Sequence, residues 1–232
     1  MSKSVSDIAW FQPASDQSLL VYFGQEITLK THQHVTKLLR LLSREPIAGV
    51  RNLHPAYCSL LIQFDALKLN HDELEEKLHS YLHRLEEVPL PDPRQVKIPV
   101  CYGGEYGPDL NEVCAVLGLT SVQAIELHAS VNYAVYFLGF VPGFAYLGEL
   151  PKALVTPRLA VPRRGVPRGS VGIAGTQTGI YPFATPGGWR LIGRTPLAMF
   201  QSGENASSLL SIGDHVRFIP ISPKRFAELE NA

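Results

Sequence analysis

The first ninety residues alternate between two hydrophobic periods, one typical of strands and one typical of helices. Short apolar runs at residues 18–23 and 57–64 predict buried strands, and residues 50–54 predict another strand just before the second of these. Between residues 31 and 44, apolar side chains recur every three or four positions. This spacing predicts an amphipathic helix with Thr31 as its N-cap.

A second helix is predicted after Asn70, because Asn70 and Glu73 have the spacing of a capping box and leucines follow on one face. Prolines at positions 89, 91 and 93 then indicate a linker, and residues 95–102 predict a strand. The order β-α-β-β-α-β is the ferredoxin-like split pattern, although its last strand could belong to either domain. We therefore expect a small N-terminal domain over residues 1–93 and a second domain over residues 94–232.

The second domain begins with two short helices and continues with strands. Asp109 with Glu112, and Thr120 with Gln123, have the spacing of capping boxes. One strand-like segment is then followed by several shorter ones, each bounded by glycine or proline, which indicates a β-barrel or a sandwich. These segments cover residues 132–140, 170–174, 177–183, 189–193 and 215–219.

Basic charge is concentrated in residues 139–196, although the formal net charge of the whole chain is zero. This segment holds 11 glycines, 8 prolines and 6 arginines, and its only acidic residue is Glu149. Because a guanidinium grips carboxylate or phosphate through two parallel hydrogen bonds, the cluster predicts either a small-anion site or a patch for an acidic partner. For any single arginine, a solvated position is the alternative. The six are Arg158, Arg163, Arg164, Arg168, Arg190 and Arg194.

Other polar side chains nearby could orient a ligand. Gln177, Thr178 and Tyr181 offer amide, hydroxyl and phenol groups between glycines, although a strand with turn chemistry would explain them too. His128, at the end of a predicted helix, could act as a general acid or base near neutral pH, or simply as a helix C-cap. We take His128 as the catalytic candidate, and we expect no metal site.

Several classes of protein are excluded by what the sequence lacks. It has no GxxxxGK[ST], GxSxG or helix-opening GxGxxG motif, so a self-contained nucleotidase or serine hydrolase is not predicted. No apolar run is long enough to span a membrane, and the N-terminus lacks the apolar region of a signal peptide. The net charge of zero argues against a nucleic-acid binder. The three scattered cysteines, without a CxxC spacing, indicate reduced thiols and a cytoplasmic location.

Several long motifs resemble those of one bacterial family. They are PVCYGGEYGPDL from residue 99, LGFVPGFAYLGELP from residue 138, TPRLAVPRRGVPRGSVGIAGTQTGIYPFATPGGWRLIGRTP from residue 156, and GDHVRFIPI from residue 213. The family is variously called allophanate hydrolase subunit 1, kinase-A inhibitor, or the B subunit of the ATP-dependent 5-oxoprolinase. The resemblance covers nearly the whole chain and is densest over residues 99–221.

The resemblance implies an α+β fold, with a small ferredoxin-like N-terminal domain followed by a cyclophilin-like closed β-barrel. It implies opening of 5-oxo-L-proline to L-glutamate with ATP hydrolysis, in a complex with the C subunit, which is related to allophanate hydrolase subunit 2, and with the A subunit. Because Glu149 is the only carboxylate of the basic segment, we expect Mg²⁺ and ATP to be held with the partner chains and this chain to be inactive alone.

Within that reaction, the arginines would hold the substrate carboxylate or stabilise phosphoryl charge. The expected anion-binding residues are Arg158, Arg163, Arg168, Gln177, Thr178, Tyr181 and Arg194. Two other functions remain open at this point. The chain could be a binding module that inhibits a sensor histidine kinase, or a subunit related to allophanate hydrolysis and urea degradation.

Overall fold

A computed structural model describes residues 9–204 and 206–231 of the chain. The chain divides into two units, Met1–Asp92 and Pro93–Ala232. The proline-rich segment predicted as a linker contains this boundary, which falls one residue before the expected one.

The N-terminal unit has a four-stranded antiparallel sheet and two helices. Its sheet has the order β1-β2-β4-β3, and apolar side chains from the sheet and both helices form one buried cluster. In chain order the elements are β1 (Trp10–Ser15), β2 (Ser18–Tyr22), α1 (Leu29–Arg44), β3 (Val50–Pro55), β4 (Ser59–Phe64) and α2 (His71–His83).

The predicted β-α-β-β-α-β order is not reproduced strand for strand. Gln95–Tyr102, the strand that the sequence left open between the two domains, belongs to the second unit, whereas β1 pairs antiparallel with β2 at the edge of the sheet. Five of the six β1 residues are exposed and Pro13 interrupts the strand, so no apolar run marks it in the sequence. Such a composition is typical of an edge strand.

The helix starts of this unit confirm one predicted cap and correct another. Asn70 and Glu73 form the predicted capping box at α2. The predicted cap of α1 was wrong, because the helix begins at Leu29 and the side chain of Thr28 accepts a hydrogen bond from the backbone N–H of Thr31. The two threonines have the same capping chemistry, so the sequence pattern did not distinguish them.

Seven strands of the C-terminal unit close into a barrel, so the expected α+β class and closed barrel are confirmed. The elements in chain order are β5 (Gln95–Tyr102), α3 (Leu110–Leu117), α4 (Ser121–Ser130), β6 (Tyr133–Leu138), β7 (Ala145–Gly148), β8 (Arg163–Val166), β9 (Ser170–Ala174), β10 (Gln177–Ile180), β11 (Thr185–Gly187), β12 (Arg190–Arg194), β13 (Phe200–Gln201), β14 (Ser207–Ser208), β15 (His215–Pro220) and α5 (Pro223–Glu230).

The order around the barrel is β10-β7-β6-β15-β5-β12-β9, and β9 pairs with β10 to close it. Every neighbouring pair is antiparallel except β15 with β5. The strands β8 and β11 form a separate two-stranded ribbon, as do β13 and β14. Thr120 and Gln123 form the predicted capping box at the start of α4.

No single helix within residues 9–204 and 206–231 combines the length and apolar character needed to cross a membrane. In the part of the chain that the structure describes, α3 and α4 taken together pass that test of length and composition, and the pair is bent by 95°.

Candidate functional site

A cavity of about 240 Å³ lies in the C-terminal unit and is lined largely by aromatic rings. Residues of the glycine-rich and arginine-rich segment form its wall, including the loop between β6 and β7 and the strand β11. The side chains that give this aromatic cavity its character are Phe140, Phe144, Tyr146, Arg158, Tyr181 and Trp189.

The rings hold one another in edge-to-face contacts. The ring of Phe144 lies 5.1 Å from that of Tyr181, 5.6 Å from that of Trp189 and 4.8 Å from that of Tyr146, in each case T-shaped. Phe144, Tyr181 and Trp189 are each at most 5% exposed. Because aromatic pairs favour this geometry, the wall is fixed by packing before any ligand arrives.

The hydroxyl of Tyr181 is positioned by a close backbone approach. A Cβ atom on Gly187 would lie 2.5 Å from this oxygen, so the ribbon can approach the ring only with glycine there. Burial raises the pKa of Tyr181, while a hydrogen bond from the backbone of Trp189 and the charges of Arg158 and Arg163 partly oppose the rise. The phenol therefore keeps its proton near neutral pH and can donate it to an acceptor.

Arg158 is the cation of the aromatic cavity. Its side chain is exposed, and among the described residues it has no ion-pair partner. A guanidinium beside apolar walls is suited to a carboxylate or phosphate, since it offers parallel donors in a fixed plane.

Arg163 is held by an acidic residue from outside the basic segment. Its Nη2 lies 2.5 Å from Oδ1 of Asp109, and the other oxygen of this buried carboxylate accepts from the backbone N–H of Leu191 at 2.6 Å. The predicted capping box at α3 was therefore wrong, because Asp109 makes no side-chain cap and turns towards Arg163 instead. Both its oxygens are used in fastening α3 to β8 and β12.

Glu112, the other residue of that predicted box, has a similar role. Its Oε1 lies 2.7 Å from Nη1 of Arg190, whose Nε donates to the backbone oxygen of Pro157 at 3.2 Å. Arg190 is thus a structural link between α3 and the chain next to Arg158.

Arg168 and Arg194 lie at a different place, near the last helix. Nε of Arg194 donates to the backbone oxygen of Arg168 at 2.9 Å, and Nη2 lies 3.6 Å from Glu230. The guanidinium carbon of Arg194 also lies 5.6 Å from the centre of the Phe226 ring. These contacts fasten α5 to the barrel, and the Arg168 side chain is exposed.

His128 is fully buried inside the barrel and both its ring nitrogens are occupied. Nδ1 lies 2.8 Å from the hydroxyl of Tyr102, and Nε2 lies 3.0 Å from the hydroxyl of Thr178. Since Thr178 donates its own proton to the backbone oxygen of Gly172, its hydroxyl must accept from Nε2–H of His128. In the neutral imidazole, Nδ1 then accepts from the hydroxyl of Tyr102. Burial lowers the pKa of His128 to about 3.

His128 and Thr178 therefore form an ordered chain of hydrogen bonds in the core, and neither residue lines the aromatic cavity. Gln177 is half-buried at the start of β10, paired with Gly148 and Ala174, and it does not line the cavity either. Of the residues predicted from the sequence, the structure brings Arg158 and Tyr181 together in the cavity, whereas Arg163 does not line it.

The described residues do not offer a cluster of side chains suited to Mg²⁺. No three histidine, cysteine or acidic side chains among residues 9–204 and 206–231 lie close enough together to hold a metal ion. The carboxylates of Asp109 and Glu112, which reach the basic segment from outside it, are already bonded to arginines.

Sequence reasoning missed Asp109 and Glu112 because capping-box spacing explained them locally. Phe140, Phe144 and Tyr146 stand in a run of aromatics between glycines, a pattern that is compatible with either a barrel corner or a ligand wall. Trp189 lies outside that run and was missed.

The chain is similar to proteins of known family. A family model described as carboxyltransferase domain, subdomain C and D, matches residues 9–210. A protein named as the B subunit of 5-oxoprolinase from Escherichia coli O157:H7 is 45% identical over 84% of this chain and 88% of its own length. A protein of the same name from Bacillus subtilis is 40% identical over 91% of this chain and 92% of its own.

Among solved structures, that of TTHA0988 matches with a TM-score of 0.77 and 36% identity, over 90% of this chain. The match covers only 40% of the TTHA0988 chain, so that protein carries much additional sequence.

Proposed function

The chain belongs to the family of carboxyltransferase subdomains C and D, and from this membership we propose that it is the B subunit of an ATP-dependent 5-oxoprolinase. The observation that carries the proposal is the similarity, over nearly the whole chain, to two proteins named as the B subunit of 5-oxoprolinase. The reaction adds water across the lactam C–N bond of 5-oxo-L-proline and gives L-glutamate, driven by hydrolysis of ATP.

We further propose that the aromatic cavity is where this chain contacts the substrate. 5-Oxoproline is a small ring that carries one carboxylate and one amide carbonyl. The guanidinium of Arg158 would hold the carboxylate, and the protonated hydroxyl of Tyr181 would donate to the carbonyl oxygen. The apolar faces of Tyr146 and Trp189 would exclude water from the ring. In this arrangement Arg163 supports the wall rather than contacting the substrate.

ATP and Mg²⁺ would be held mainly by the partner chains, which are the A and C subunits, and this chain would be inactive alone. The proposal is supported by the use of the nearby carboxylates in ion pairs with arginines. We place the complex in the cytoplasm, which is supported by three free cysteines, Cys58, Cys101 and Cys114.

The test is 5-oxoproline-dependent release of ADP by the complex reconstituted from the three subunits. Losing a hydrogen-bonded charge contact costs about 1.5–3 kcal/mol, so Arg158→Ala should raise KM for 5-oxoproline about 10- to 150-fold. Arg158→Lys should recover part of the loss, since it keeps the charge without the planar fork.

Arg217→Ala is the matched control, because Arg217 is an exposed arginine on β15, across the barrel from the cavity. Size-exclusion chromatography would establish that each variant still assembles. An unchanged KM in both Arg158→Ala and Tyr181→Phe, with assembly intact, would remove the aromatic cavity from the substrate site.

A further inference from the structure

The loop between β6 and β7 presents an aromatic side chain to solvent at the mouth of the cavity. Phe140 is 60% exposed, and its φ of 70° lies in the left-handed region that bulky residues rarely adopt. The base of the loop is fastened by a hydrogen bond from Gly139 to the backbone oxygen of Phe144 at 3.1 Å. Strain of this kind persists where function requires it, so an outward-facing Phe140 calls for an explanation.

A second exposed apolar side chain lies close by. Phe140 and Pro162 both line the aromatic cavity, and Val161, the neighbour of Pro162, is 80% exposed. Single exposed hydrophobic residues are ordinary, but here one lines a concave site and the other is adjacent in sequence to a residue that lines it.

The arginines divide into two sets by their partners. Arg163, Arg190 and Arg194 form ion pairs within the chain. Arg158, Arg164 and Arg168, by contrast, are exposed and have no ion pair among the residues that the structure describes. Arg168 lies beside Arg194 near the last helix, whereas Arg158 lines the cavity together with Phe140, and Arg164 lies three positions after Val161 in the chain.

The comparison with TTHA0988 indicates what could cover this surface. More than half of that chain lies outside the match to this one, so in that relative further polypeptide is covalently attached to the same unit. If an equivalent polypeptide is a separate protein, this chain needs a surface that binds it.

We propose that Phe140, Val161 and Arg164 form a docking edge for an acidic segment of the C subunit that carries an apolar anchor. Phe140 and Val161 would contact the anchor, and Arg164 would pair with a carboxylate of the segment. This arrangement covers the mouth of the aromatic cavity and completes it at the interface. The inference rests on the proposed function, because it takes the C subunit as the partner.

The test measures binding of the purified C subunit to this chain by biolayer interferometry. Phe140→Asn removes the ring while keeping a residue that tolerates positive φ, and Arg164→Glu reverses the charge. Each should weaken binding about tenfold or more, as for a central interface contact. Raising salt from about 0.05 M to about 0.3 M should weaken the wild-type complex more than the Arg164→Glu complex, because screening acts on the lost attraction.

The matched controls are Val122→Ser, an exposed valine on α4, and Arg217→Glu on β15. Both should bind the C subunit within about twofold of wild type. If Phe140→Asn and Arg164→Glu bind no worse than these controls, the docking edge is wrong. If the wild-type complex forms and the variants weaken it but 5-oxoproline releases no ADP, the proposed reaction fails while the docking edge stands. If wild-type chains do not bind the C subunit, both fail.

Discussion

Replacing His128 by glutamine should remove most of the acid sensitivity of the barrel's stability between about pH 7.5 and about pH 5. In the folded chain burial lowers the pKa of His128 to about 3, whereas in the unfolded chain an imidazole titrates near its ordinary value of 6.5. As the pH falls below that value, the unfolded chain takes up a proton that the folded chain does not. The free energy of unfolding therefore decreases as the pH falls.

The size of the effect follows from one proton. Each pH unit between the two pKa values contributes about 1.4 kcal/mol, so the fall from about pH 7.5 to about pH 5 removes roughly 2 kcal/mol. Most carboxylates stay ionised over this pH range, so the change in the free energy of unfolding comes mainly from the histidine. Glutamine is neutral throughout and can still accept from Tyr102 and donate to Thr178.

The assay is urea unfolding at several pH values, followed by tryptophan fluorescence. A Trp10→Phe background leaves Trp189, which is buried in the C-terminal unit, as the reporter. His215→Gln is the matched control, because it changes the other histidine of this unit and leaves the buried imidazole in place. Equal pH dependence in wild type and His128→Gln would refute the buried neutral imidazole.

Three further changes test the packing around the site. Thr178→Val should lower the free energy of unfolding by roughly 1–3 kcal/mol, measured by urea unfolding, because Nε2–H of His128 loses its acceptor. Asp109→Ala should lower the free energy of unfolding by about 2–4 kcal/mol in the same assay, which is less than for a fully buried pair because its partner Arg163 is 30% exposed. An Asp109→Ala chain as stable as wild type would contradict the role of this ion pair. Gly107→Ala should lower Tm and cost roughly 3 kcal/mol, since its Cβ would lie 2.0 Å from the backbone oxygen of Ile192.

Much of the fold could be predicted because local patterns determine it. The capping boxes at Asn70 and Thr120 depend only on residues three positions apart, and strand β9 is bounded by the glycine and turn signals around it. The β1 strand could not be found this way, because it is held by pairing with β2 and not by an apolar run of its own.

The site was predictable only in part for a related reason. The sequence identified a segment rich in arginine but not which arginines have partners inside the chain. Asp109 and Arg163 are 54 residues apart, and Glu112 and Arg190 are 78 apart, so neither pairing leaves a local signal. Because Asp109 has the spacing of a helix cap, the sequence indicated a local role for it and not an ion pair with Arg163. Long-range pairing thus decides which positive charges remain for a ligand or a partner.

The parallel pairing of β15 with β5 has a consequence for how the chain folds during synthesis. His215 lies opposite Gln95, 120 residues earlier, so one edge of β5 has no strand beside it until the last barrel strand has left the ribosome. Pairing over such a separation forms slowly, and an unpaired strand edge is a template for aggregation. Nascent chains that stall before β15 should therefore be the aggregation-prone form of this protein, and chaperone demand should fall once residues 215–220 emerge.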